Sequence, residues 1–448
     1  MTTSVLWFRR DLRLADHPAL HAARDAADEV VPLFVLDDAL RRPSGAPRLA
    51  FLHRCLRELA ERTDGALRVL AGRPDDVVSR VVRETGAGSV HISSDHAPYG
   101  RARDERVAAA LAEVPLVATG SPYAVTPGTL RKDDGEPYRV YSPFARAWRA
   151  RGVHAPAGPR EVRWSDGGLP SEGVPADPEL GAVQLPEAGE SAALERWEHY
   201  RDTGLSAYAE TRNRPSADGT SVMSAYLKYG CIHPRTMLAD LGDDDGAQKL
   251  QGELAWRDFY ADVLWHRPGS ARTELVPAMA HLDYDEGPEA DARFEAWAAG
   301  QTGFPFVDAG MRQLLGEAWV HNRVRMVVAS FLTKDLHLHW WRGARHFMQH
   351  LRDGDLASNQ HGWQWVAGTG SDPAPYFRVF NPVKQGQDHD PDGDYIRRWV
   401  PELRDVEGKA VHEPWTLPGG PPDGYPLPVV DHKAEREEAL RRYADAKG

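Results

Sequence analysis

The chain has 448 residues, a net charge of -12, and 42% hydrophobic and 27% charged residues. These are ordinary globular proportions, the length suffices for two or three cores, and no apolar run is long enough to cross a membrane. The opening MTTSVLWFRRDLR lacks a signal-peptide core, and Cys55 and Cys231 form neither a disulfide framework nor a metal cluster, so a cytoplasmic protein is expected.

VLWF (5–8), VVPLFVL (30–36), LRVL (67–70), SVHI (89–92) and PLVAT (115–119) read as buried strands, with helices expected at 48–63, 75–85 and 102–113. This alternation predicts a doubly wound, Rossmann-like parallel sheet over residues 1–125, with ligands at the carboxyl ends of its strands. No GxGxxG follows the first strand. Arg9, Arg10, Asp11 and Arg13 stand there instead, and on pattern alone they read equally as a solvated loop.

RVYSPFARAWRARG (139–152) is basic and aromatic and is expected to pack between domains. Residues 155–190, with six prolines and six glycines, read as a connector, so 126–192 is assigned as linker. From 193 to 448 the pattern is helical. Ten of the fourteen tryptophans lie between Trp256 and Trp415. The stretch Val320 to Arg352 has six Lys/Arg, one acid and five histidines, so the acidic total does not exclude a local nucleic-acid surface.

In YAETRNRPSADGTSVMSAYLKYG (208–230), Thr220 or Ser221 is the expected N-cap of a helix ending at Gly230. GELAWRDFY (252–260) puts Glu253, Trp256, Arg257 and Tyr260 on one helical face, a mixture that also suits a salt-bridged surface. GEAWVHNRVRMVVASFL (316–332) does the same for Asn322, Arg325, Met326 and Ala329. HLHWW (337–341) lacks the further ligands of a metal site. In DGDLASNQHGWQWVAGTGSDPAPYFRVFNP (353–382), Asp353 and Asp355 precede Asn359, Trp363 and Trp365. On residues alone that string reads equally as an irregular core segment with turns.

This string, with WFRRDLR at the start, resembles the photolyase/cryptochrome family in the form of class I cyclobutane pyrimidine dimer photolyases, and the likeness spans the chain. It implies FAD held by Tyr208, Thr220, Ser221, Val222, Met223, Ser224, Arg257, Arg325, Asp353, Gly354, Asp355 and Asn359. Val222 departs from the basic residue common at its position. UV-damaged DNA is the implied partner of a monomer, with a dimer flipped against Glu253, Trp256, Asn322, Met326 and Trp365. Arg212, Arg323 and Arg378 are the implied phosphate contacts, and Asn359 the amide facing flavin N5. The activity implied is light-driven dimer splitting by electron transfer from the reduced flavin. The alternative is a cryptochrome-type blue-light receptor without repair.

For the N-terminal domain the resemblance implies an antenna chromophore contacted from loops 36–52 and 93–103, with Arg48 and Asp95 as candidates. The PYGR sequence, with Gly100 where folate-binding relatives carry Glu, points to 8-hydroxy-5-deazaflavin, the alternative being methenyltetrahydrofolate. Electron transfer to the flavin maps onto Trp363 and Trp340. The outer tryptophan of that chain falls on Gly287, so Trp341 or Tyr284 is the expected substitute. NQHGWQW departs from the usual Asn-Gly-Gly spacing, so Gln360 and His361 are expected to alter the local loop.

Overall fold

A computed structural model of the protein describes residues 1–371 and 378–447. Five strands, β1 (Thr3–Phe8), β2 (Glu29–Leu36), β3 (Arg68–Ala71), β4 (Ser89–Ile92) and β5 (Leu116–Ala118), form one parallel sheet in the order β3-β2-β1-β4-β5. Strands covered on both faces read as unbroken apolar runs, which is why β1, β2 and β4 were legible in sequence. Val5, Trp7, Val31, Leu33 and Val35 pack with Val77, Val81 and Val107 of the Pro74–Thr85 and Pro98–Ala110 helices. Leu6, Phe8, Val30, Phe34 and Leu36 belong to the opposite core with Phe51 and Cys55 of the Ala46–Arg62 helix. Strand order reverses between β1 and β4, so their carboxyl ends open a crevice lined by Arg9, Arg10 and Asp95.

Three helices begin earlier than expected, at Ala46, Pro74 and Pro98, each with a proline in its first turn, where the missing N–H costs nothing. PYGR is therefore the opening of a helix and not a loop. Two further helices, Pro18–Ala26 and Asp38–Arg41, were not expected, although Pro18 stands in the first turn of one and Asp37 caps the other.

The connector has neither helix nor strand between Val153 and Gly189, yet it is tied down. Trp164 bridges to Val30, and Asp177 pairs with Arg54 at 2.7 Å and with Arg57. The Tyr141–Arg151 helix docks on the Asp245–His266 helix, with Trp148 Nε1 donating to Asp258 at 2.9 Å.

Beyond Ala118 no strand occurs among the described residues. The second sheet core continues into the helical part through Trp197, Tyr226, Tyr229, Cys231 and Leu254. The Cys55 and Cys231 sulfurs approach to 3.5 Å there as free thiols. Asp16–Arg235 at 2.5 Å and Arg10–Asp355 at 2.6 Å join the same two parts, and Glu190 accepts from Leu14 and Ala15 N–H at 2.7 and 2.8 Å. No described helix is long and apolar enough to cross a membrane.

Two local expectations fail. The helix ending before Gly230 spans only Ser224–Tyr229, with Met223 and not Thr220 or Ser221 at its N-cap and no side-chain cap bond. Val222 has φ +53°, a left-handed conformation unusual for a β-branched residue, so no helix can run through it. In the 353–382 string, Leu356–Ala367 is a regular helix capped by Asp355 and ended by left-handed Gly368; residues 372–377 lie outside the described residues.

Candidate active site

The Asp353–Asp355 turn is where the two parts of the chain meet. Asp355 accepts from Ser358 N–H at 3.0 Å as helix cap, and its other oxygen takes Arg10 Nη2 at 2.6 Å. Burial works to raise this carboxyl, but Arg10, Lys228 and Arg257 overcome it and hold it well below the usual carboxylate range. Asp353 Oδ2 takes Arg325 Nη2 at 2.8 Å, while its buried Oδ1 has no partner. A Cβ on Gly354 would stand 3.0 Å from Arg48 and 3.2 Å from Met348 Sδ, so the turn is packed from the sheet side as well.

One turn further on, Asn359 Nδ2 donates to Ala344 O at 3.0 Å and Gln360 Oε1 at 2.9 Å, which leaves Asn359 Oδ1 as its acceptor. Gln360 donates to Ala271 O at 2.7 Å. His361 is buried between Ala357 O at 2.8 Å and Ser270 Oγ at 2.9 Å. Both residues anchor this helix to the 268–271 turn; neither distorts a loop.

The 220–224 segment offers Thr220 and Ser221 ahead of a six-residue helix and Ser224 as its first residue, with strained Val222 between them and Met223 buried. Backbone strain of this kind collects at binding sites. Arg257 does not point outward: its terminal nitrogens donate to Pro122 O at 2.9 Å and Leu227 O at 3.1 Å, which ties the Asp245–His266 helix to the Ser224–Tyr229 helix.

Tyr208 is buried beneath Arg212, whose guanidinium carbon lies 5.5 Å from the ring centroid. Arg212 Nη2 also meets Glu253 Oε1 at 2.7 Å. Burial raises the Glu253 carboxyl, and Arg212 opposes that shift. Trp256 is half-buried, with one face stacked on Tyr141 at 3.6 Å and an 8° interplanar angle. Trp365 is half-buried against the large helical core, as is Met326, and Asn322 is exposed at the start of the Asn322–Ser330 helix. Arg323 donates to Asn213 Oδ1 at 2.9 Å; burial, then Arg212 and Arg378, depress its pKa. Arg212 and Arg378 thus both stand close enough to Arg323 to depress it, a local concentration of positive charge on an acidic protein.

A cavity of about 980 Å³ lies at the crevice between β1 and β4, and both Arg48 and Asp95 line it. Arg10, Tyr99, Lys228 and Asp355 line it as well. Burial would raise the Asp95 carboxyl, but Arg103, Arg10 and Arg9 keep it below its usual value. Burial, with Arg10 second, pushes Lys228 down to about 7. Gly100 has a packing reason: a Cβ there would stand 2.1 Å from Asp95 Cγ.

Trp363 is buried against Phe347 and Trp297, at centroid distances of 5.1 and 6.0 Å, and a Cβ on Gly343 would come within 2.2 Å of its ring. Trp340 is fully buried and donates to Glu274 at 3.0 Å. Gly287 starts the Pro288–Ala298 helix facing open space. Tyr284 lies 4.6 Å from His339, which lies 5.7 Å from Trp340, whereas Trp341 is 39% exposed.

Sequence reading missed Tyr141 as the neighbour of Trp256, and Lys228 and Tyr123 as cavity walls. The aromatic 139–152 run hinted at the first. Nothing local signalled the others.

Residues 4–160 match the family model for DNA photolyase, and residues 250–445 match that for the FAD binding domain of DNA photolyase. A deoxyribodipyrimidine photo-lyase of Streptomyces griseus is 41% identical, covering 100% of both chains. Another from Thermus thermophilus is 40% identical over 98% of this chain and 97% of its own. The class III photolyase of Agrobacterium tumefaciens superposes with a TM-score of 0.94 at 34% identity, covering 100% of this chain and 98% of that one. A Synechocystis cryptochrome gives 0.90 at 28% identity, covering 98% of this chain and 99% of its own. An archaeal photolyase from Sulfolobus tokodaii, described with two FAD molecules, gives 0.87 at 27%, covering 99% and 100%. The chain belongs to the photolyase/cryptochrome family and carries its FAD-binding domain. These likenesses do not divide class I from class III.

Proposed function

We propose that this protein is a deoxyribodipyrimidine photo-lyase that binds FAD and reverses cyclobutane pyrimidine dimers in UV-damaged DNA, in the manner of class I. The observation that carries the reading is Arg212. It touches the ring of Tyr208, from the implied flavin set, and the carboxylate of Glu253, from the implied lesion set, while Arg323, near enough to Arg212 and Arg378 to be depressed by both, adds positive charge beside it.

The residues present fit a flavin dinucleotide. Asp353 Oδ1 is buried without a donor, Asn359 Oδ1 is left to accept, and Arg325 brings positive charge to an anionic ring. Thr220, Ser221, Met223 and Ser224, around Val222, are the candidates for the diphosphate side. FAD, when bound, reduced and photoexcited, supplies the electron that splits the dimer. The residues do the rest. The uncovered face of Trp256, with Trp365, replaces the stacking a flipped base loses, at roughly 1–3 kcal/mol per base. Glu253 hydrogen-bonds the lesion edge, with Asn322 and Met326 beside it, and the arginines hold the flanking backbone.

In the 980 Å³ cavity we assign an antenna, 8-hydroxy-5-deazaflavin, with Arg48, Asp95 and Lys228 as contacts. Asp95 beneath Gly100 leaves no room for the Glu of folate-binding relatives, which weighs against methenyltetrahydrofolate. The same reading takes 1–125 as antenna domain, 126–192 as linker and 193–448 as catalytic domain. It takes the protein as a monomer and as cytoplasmic, the latter in keeping with two free thiols.

The test is blue-light irradiation of the reduced, FAD-loaded protein with a thymine-dimer oligonucleotide. Restored thymines are expected. Flavin binding without repair would establish the cryptochrome alternative, whose fold this chain shares.

A further inference from the structure

The geometry points to Tyr141 as a positioning residue for lesion recognition, acting through Trp256. The inference rests on the reading that Trp256 receives the flipped base. Tyr141 opens the Tyr141–Arg151 helix, on the stretch between sheet and helical part, 115 residues before Trp256. Its ring lies flat on the indole at 3.6 Å and 8°. Its hydroxyl donates to Gly252 O at 2.8 Å, on the same turn as Glu253. Phe259, 5.9 Å from Tyr141 and 5.7 Å from Trp256, buttresses both rings edge-on. The helix behind Tyr141 is clamped by Trp148 on Asp258 at 2.9 Å and by Phe144 against Phe259 at 5.2 Å.

Two consequences follow for Trp256. One of its faces is permanently occupied, so a base stacks on the other face only. The indole is also held in one rotamer before DNA arrives, which removes an ordering cost from binding. Glu253, three residues before Trp256 on the same helix, raises the Tyr141 pKa after burial has done so, to about 12, so the phenol stays neutral beside the carboxylate. An undamaged duplex inserts no base beside Trp256 and is indifferent to this stack. The device therefore sharpens discrimination between dimer and intact DNA without touching either.

The experiment measures affinity for dimer-containing and undamaged DNA, with FAD content read by absorbance, in Tyr141→Phe, Tyr141→Leu, Tyr141→Ala and Trp256→Ala proteins and in the Tyr141→Leu/Trp256→Ala double variant. Removing the aromatic ring should weaken dimer binding roughly 2- to 10-fold, the size of one aromatic pair, and leave undamaged DNA unchanged. Tyr141→Phe should bind as wild type, because it keeps the stack and loses only the Gly252 bond. In the Trp256→Ala background, Tyr141→Leu should cost nothing more. Wild-type dimer affinity in Tyr141→Leu, or an undiminished loss in the double variant, would overturn the inference while leaving the repair reading intact. Unchanged dimer affinity in Trp256→Ala alone would remove the role of Trp256 itself, and the inference with it.

Discussion

Arg212 Nη2 lies 2.7 Å from Glu253 Oε1, so a guanidinium assigned from sequence to a DNA phosphate is already engaged by the carboxylate meant for the lesion. The ion pair would couple the two proposed roles. Burial raises the Glu253 carboxyl and Arg212 restrains the rise. In Arg212→Ala that restraint is gone and the carboxyl titrates at higher pH. The pH profile of dimer splitting by pre-reduced enzyme should therefore move to higher pH. Affinity for damaged and undamaged DNA should fall together, with the salt slope reduced by about 1. A profile that does not move would show that Glu253 does not act in the reaction.

Light-driven reduction of the oxidised enzyme should depend on Trp363 and then on Trp341 in preference to Tyr284. A tyrosine gives up an electron readily only if its proton has somewhere to go, and the buried Tyr284 hydroxyl has no hydrogen-bond partner. Trp341 is 39% exposed beside Trp340, with Arg345 over its ring at 5.4 Å. Flash spectroscopy should show photoreduction lost in Trp363→Phe, slowed in Trp341→Phe and unchanged in Tyr284→Phe. Repair by chemically reduced Trp363→Phe enzyme should remain near wild type. Normal photoreduction in Trp341→Phe would eliminate that exit.

The cavity proposed for the antenna yields a prediction about protonation. Burial holds Lys228 at about 7, and an anionic chromophore favours its charged form. Chromophore affinity should therefore fall as pH rises above 7, by up to about tenfold per unit for one linked proton. In Lys228→Met the pH dependence should flatten. Gly100→Ala should lose chromophore binding while retaining FAD, since its Cβ would displace the Asp95 carboxylate. Titration by fluorescence at pH 6 to 9 decides both points.

Acid should destabilise the fold through its histidines. Burial lowers His361 and His321 to about 4, below the ordinary 6.5, so the unfolded chain binds protons that the native state refuses. Stability is then present above pH 6.5 and is lost as pH falls from 6.5 toward 4, at roughly 1.4 kcal/mol per unit per group. Urea midpoints at pH 7, 6 and 5 should decline together with FAD retention. A flat midpoint over that range would refute the assignment.

Much of this was legible along the chain. Strands β1, β2 and β4 were readable because burial on both faces turns a strand into an apolar run, although edge strand β5 has no buried residue. The Glu253/Trp256 face was readable because a 22-residue helix keeps its period. Where local chemistry misled, a tertiary constraint had won. Thr220 and Ser221 are good N-cap residues, but left-handed Val222 delays the helix to Ser224. Gln360 and His361 looked like intrusions into a loop, yet their bonds to Ala271 and Ser270 hold a regular helix in place.

The sequence by itself determined a parallel α/β half and a helical half, since periodicity reports what each segment buries, while the flavin and lesion sets were implied by the family resemblance. Only the tertiary structure decided the pairings of Arg10 with Asp355 across 345 positions, Tyr141 flat on Trp256, and Arg212 bound to Glu253. The reason is physical. A charged or aromatic side chain on a half-buried face can satisfy itself in several ways, and which partner it takes depends on how distant segments approach, for which the local chain carries no signal.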